Sequence, residues 1–117
     1  MKSDLRVTSG FTLVEVMIVV AIIGLLAAIA VPSLARARET SQTKACIANL
    51  KQMQCAITAW GIESRRTTGD SVDSNELFWA DKYLRAEPEC LGGGTYQFFT
   101  IGASPEVGCT EGGHFLP

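Results

Sequence analysis

The sequence predicts an α+β protein: one long N-terminal α-helix, half membrane span and half amphipathic, carrying a small C-terminal antiparallel β-sheet head. Three observations lead there. From Phe11 to Val31 the chain holds a single charge, Glu15, and a helix of that length covers roughly 30 Å, the thickness of a bilayer's hydrocarbon core. Farther on, Cys46, Leu50, Met53, Ile57 and Trp60 follow one another at spacings of 4, 3, 4 and 3, which sets them on one stripe of a helix. In the last third, aromatic and β-branched runs alternate with glycine and proline turns, as short strands do.

Taken in order, residues 1–10 form a short polar leader without periodicity. Residues 11–32 are the span, with two internal weak points. Gly24 is a poor helix former, and Pro32 has no N–H for the carbonyl of Ala28. Residues 33–63 continue as an amphipathic helix whose stripe carries the head. Cys55 lies nine positions from Cys46, about 180° around that helix, so the two cannot pair while it is continuous.

Residues 64–117 make the head. Ser64 to Asn75 is polar and reads as a loop, and Asp73-Ser74-Asn75-Glu76 reads as a capping box opening a short helix through Leu84. Cys90-Leu91-Gly92-Gly93-Gly94 is a turn. Thr95 to Ile101 is a strand, Gly102 to Pro105 turns, and Glu106 to Thr110 returns, giving a β-hairpin.

Of 117 residues, about 85 remain for water once leader and span are set aside, one small domain with a marginal core. It needs help from the helix or from cross-links. The net charge of −2 hides an uneven distribution: the leader carries +1, Glu15 −1, residues 36–51 +3 and everything beyond −5. A polyanionic partner is not implied; nucleic acid is not expected, and Arg65-Arg66 reads as a solvated loop pair. Catalysis is not expected either. The one His, His114, lies near a Gly-rich terminus, and no nucleophile elbow, His-Glu-x-x-His or Walker sequence is present. The triple glycine precedes a strand rather than a helix and lacks the Lys of a P-loop.

The junction at the front of the span is the most specific signal. A secretory signal peptide places its cleavage site after the apolar segment; here Gly10 precedes it, so a cut after Gly10 keeps the helix and frees the amine of Phe11. A polar leader, Gly10-Phe11-Thr12-Leu13-Val14-Glu15 and a long apolar run closed by Pro32 resemble the type IV pilin and type II secretion pseudopilin family. The tail, with Cys90-x-Gly-Gly-Gly-Thr-Tyr and Cys109-x-x-x-Gly-His114, is similar to that of short pseudopilin-like proteins. The resemblance implies processing at Gly10 and Phe11 by prepilin peptidase with N-methylation, and assembly through Phe11 and Glu15. It implies single-pass insertion in a bacterial inner membrane with the head in the periplasm, an orientation that the near-tied flanking charges do not decide. The implied partners are the membrane before assembly, an inner-membrane assembly platform, and copies of itself and other pilin-like subunits in a filament. It also gives Gly24–Pro32 a second reading beside a tolerated kink: a segment that gives up helical hydrogen bonds when subunits pack.

An oxidising compartment would favour a disulfide. Cys90 and Cys109 flank strand, turn and return strand, and closing that loop of about 20 residues would stabilise by roughly 3 kcal/mol; Cys46 and Cys55 would then be thiols. The rival reading, from another functional class, is a metal-binding or redox module using Cys90, Cys109 and His114, with a fourth ligand from Cys46 or Cys55. Some pseudopilins bind calcium through head carboxylates, which makes Asp70, Asp73 and Glu76 candidates. Their spacing is not that of a calcium loop, and no cofactor is expected. The reading adopted is a structural subunit of a type II secretion pseudopilus, with a type IV pilus subunit for adhesion, motility or DNA uptake as the alternative.

Overall fold

In the computed structural model, which describes residues 8–117, the long helix begins on a cap. The Thr12 hydroxyl accepts the backbone N–H of Glu15 at 3.2 Å, and its carbonyl accepts the N–H of Val16 at 3.3 Å. From there α1 runs as Leu13–Glu63, unbroken through Gly24 and Pro32. Residues 8–12 are not helical; residues 1–7 of the expected leader lie outside the described residues. The chain divides into two compact units, Met1–Arg36 and Ala37–Pro117.

In the first unit the helix is apolar on every side and covered on none. Ile18, Ile22, Leu25 and Ile29 are all more than half exposed, although a helix hydrophobic all round is ordinarily a buried one. α1 is long and apolar enough to cross a membrane, and such a surface asks for lipid or for other subunits.

The second unit is built on the expected stripe. Cys46, Leu50, Met53, Ile57 and Trp60 are all buried, joined by Ala56. Against them pack Leu77, Phe78, Cys90 and Val107, with Phe78 and Phe98 meeting edge-on at 5.8 Å between ring centroids. Leu50 is fully buried, so Leu50→Ala should lower head stability by about 2–5 kcal/mol, the loss of transfer energy plus a cavity. Denaturant unfolding of the full chain in detergent, followed by tryptophan fluorescence, measures it.

The short helix is shorter than its cap predicts. Asp73 caps it, its Oδ1 accepting the N–H of Asn75 at 2.9 Å, but α2 covers only Ser74–Leu77. Beyond it, tertiary pairing overrides helix propensity: Leu84 N–H donates to the Leu77 carbonyl and Trp79 N–H to the Leu84 carbonyl, both at 2.9 Å. Leu77 and Phe78 can then both turn inward, while Trp79, at φ 126°, leaves the helical path.

The hairpin forms as an antiparallel pair, β1 (Tyr96–Phe98) with β2 (Val107–Cys109), in register Tyr96↔Cys109 and Phe98↔Val107. Both strands are shorter than the sequence suggests, because β1's continuation changes partner. Ile101 N–H donates to the Asp70 carbonyl at 2.9 Å and Gly69 N–H to the Ile101 carbonyl at 2.9 Å, and Ser71 bridges Thr100. Part of the expected loop thus satisfies the backbone of the expected strand.

Candidate functional site

Among the described residues, two places are candidates for chemistry. At the helix start, the Gly10–Phe11 peptide lies in exposed, non-helical backbone just ahead of Thr12. A Cβ added at Gly10 meets nothing within 4 Å, so no contact of the fold requires glycine there. Thr12 was not singled out from the sequence, yet Thr12-Leu13-Val14-Glu15 carries the T-x-x-E spacing of a capping box, which would have found it. The cap fixes the first turn, and with it the position of Glu15, where the helix N-terminus favours negative charge.

In the head, one ligand atom from each of Cys46, Cys90, Cys109 and His114 lies within 4.8 Å of every other. The four come from separate elements: Cys46 from α1, Cys90 from the lip of a turn in which Gly93 N–H bonds its carbonyl at 2.9 Å, Cys109 from the end of β2, and His114 from the C-terminal turn. Cys46, Cys90 and His114 are buried and Cys109 is half-buried. Cys90 and Cys109, the pair expected to form a disulfide, come together here in the company of the other two. Cys55 is exposed and apart from them, a free thiol on the outer face of α1.

The triple glycine is explained by this convergence. A Cβ on Gly92 would stand 2.8 Å from His114 Cε1, and one on Gly94 would stand 2.8 Å from Cys109 Sγ and 2.9 Å from Glu111 Cβ. Side chains there would push the cluster apart. Gly93, at φ +89°, sits where L side chains are strained.

Hydrogen bonds orient the cluster from outside. Thr43 Oγ1 donates to the Glu39 carbonyl at 3.1 Å, so the same oxygen accepts from His114 Nε2, 3.1 Å away. With the proton on Nε2, the bare Nδ1 faces Cys90 Sγ at 3.4 Å. Tyr96 Oη donates to Cys46 Sγ at 3.5 Å and accepts from Asn49 Nδ2 at 3.2 Å. The thiols respond in opposite directions. Burial pushes the Cys46 thiol up to about 12, helped by Cys90 and Cys109 and opposed by Tyr96. Burial also pushes Cys90 up, but the N–H groups of Gly92 and Gly94, with Cys46 adding to them, outweigh it and bring this thiol down to about 6. Burial first, then Cys46, raises the Tyr96 phenol above its ordinary range.

The carboxylates considered for calcium have separate occupations. Asp70 Oδ2 accepts from Thr67 N–H at 2.8 Å, Asp73 caps α2, and Glu76 Oε2 accepts from Trp60 Nε1. Arg66 lies over the Trp60 ring, 5.2 Å from its centroid.

Comparison with known proteins bears on the helix start and on the whole chain. Residues 5–31 match the model of the prokaryotic N-terminal methylation motif. The chain is 32% identical over 109 residues to the type II secretion system core protein G of Aeromonas hydrophila, covering 83% of this chain and 76% of that protein. It is 39% identical over 66 residues to the competence protein ComGC of Halalkalibacterium halodurans, covering 56% of this chain and 65% of that protein. The type IV major pilin PilA of Myxococcus xanthus is 46% identical over 57 residues, covering 49% of this chain and 26% of the pilin. No solved structure matches. With the methylation motif at its start and core protein G aligned through its head, the chain belongs to the type IV pilin and type II secretion pseudopilin family.

Proposed function

We propose that the chain is a structural subunit of a type II secretion pseudopilus, inserted in the inner membrane with its head in the periplasm, cut between Gly10 and Phe11, and then assembled into a filament that drives protein export. Members of this family are structural subunits rather than enzymes. The observation that carries the secretion reading is where similarity extends: the alignment with the Aeromonas core protein G runs over 109 residues and through the head, whereas that with the Myxococcus pilin spans 57. The first unit supports assembly. Its uncovered apolar surface is matched to lipid before assembly and to neighbouring helices afterwards, and each environment removes from water what the isolated helix exposes.

A second reading, a type IV pilus subunit serving adhesion, motility or DNA uptake, is favoured by the 39% identity to the competence protein. Deleting the gene in its host separates the two. Loss of exported proteins with surface pili and transformation intact supports the pseudopilus; the reverse pattern assigns the subunit to a pilus.

A further inference from the structure

The function proposed above gives the four-residue cluster in the head no role, and the construction of the cluster has the features of a closed cation site. Four soft or borderline ligand atoms converge, three sulfurs and one imidazole nitrogen, all within 4.8 Å of one another. A tetrahedral zinc ion with bonds of about 2.3 Å to sulfur and 2.0–2.1 Å to nitrogen holds its ligand atoms roughly 3.5–3.8 Å apart, so contraction of a few tenths of an ångström to about 1 Å closes the widest gap. The Cys90 Sγ to His114 Nδ1 separation, 3.4 Å, needs none.

The surroundings are those a ligand set requires. The Thr43 and Glu39 relay presents His114 with Nδ1 unprotonated toward the sulfurs, and an outer hydrogen bond on the far nitrogen is the usual partner of a metal-bound His. Gly92 and Gly94 leave the space that a Cβ would fill against His114 and Cys109. A disulfide would use two of the three sulfurs and leave a buried thiol and a buried imidazole facing it. One cation uses all four.

We propose that Cys46, Cys90, Cys109 and His114 bind one zinc ion in a closed tetrahedral site that fastens the hairpin and the C-terminal turn to α1. The site holds Zn²⁺ on three thiolates and one neutral imidazole, and binding releases the protons that the thiols still carry. The benefit falls on a head whose named strands are three residues each and whose core is small; structural zinc contributes directly to folding in such domains.

The test uses the full chain purified in detergent without chelator or reductant. Elemental analysis should find one zinc per chain. Ellman's reagent should titrate Cys55 alone before a chelator is added and all four cysteines afterwards. Thr43→Val, which removes no ligand, should keep the stoichiometry while weakening zinc affinity about 10–100-fold, and Cys55→Ser should leave affinity unchanged. Two outcomes overturn the proposal. One is zinc-free protein with two thiols missing even in denaturant, which establishes the Cys90–Cys109 disulfide or another pairing. The other is four thiols reactive before any chelator.

Discussion

Glu15→Val is expected to insert and to be cleaved like the wild type yet to fail to enter filaments. An ionised carboxylate in an apolar span costs at least about 2.5 kcal/mol on insertion scales, and valine removes that cost, so membrane insertion should not suffer. What the variant loses is a partner created by processing. The proposed cleavage after Gly10 would free the amine of Phe11, which with a reference pKa of about 7.7–8.0 is largely cationic at neutral pH, and methylation would keep it basic. Within one chain the Thr12 cap holds Glu15 in the first turn and places both groups at the same end of one helix. A neighbour displaced along the filament axis can present its amine to this carboxylate. In a low-dielectric setting that attraction is strong, and a neighbour out of register leaves a buried charge unpaired. On this proposal Glu15 sets register as well as adhesion. Co-sedimentation of sheared filaments, with membrane fractionation and N-terminal sequencing as controls, measures the effect; wild-type levels of filament from the variant would contradict the role assigned here.

The second large effect is at Gly10. Gly10→Val should leave the full precursor in the membrane and yield no subunit beginning at Phe11. The Gly10–Phe11 peptide lies in exposed backbone ahead of α1, and nothing among the described residues lies within 4 Å of a Cβ added at Gly10. A folding defect is thus not expected, and loss of processing isolates the demand of the peptidase for a residue without a side chain. Intact-mass measurement of the membrane-extracted protein distinguishes precursor from product. A valine variant processed normally would remove Gly10 from the recognition site.

The parts of the molecule that were legible in the sequence are those with a period or a one-sided composition. The uncharged run after Phe11 and the stripe from Cys46 to Trp60 specify α1 and its buried face because 3.6-residue periodicity needs no knowledge of partners. The ends of α2 and of β1 were not legible, since they depend on which distant backbone groups they meet. Leu84 returns to Leu77 and Trp79, and Thr100 leaves the hairpin for Ser71. The cluster shows the same limit. Cys46 could be placed on the core stripe, and Cys90, Cys109 and His114 could be grouped as alternative ligands, but no Cys-x-x-Cys spacing marks them as a set. Only the fold shows that Cys46 and not Cys55 joins them. The triple glycine read as a flexible turn, yet Gly92 and Gly94 are there for close packing.

The most direct test of the central claim is a high-resolution cryo-electron microscopy structure of the assembled filament. The account predicts chains that begin at a methylated Phe11, with that amine within about 4 Å, salt-bridge distance, of the Glu15 carboxylate of a neighbouring subunit. Filaments in which Glu15 faces solvent or lipid, or in which residues 1–10 remain attached, would contradict it.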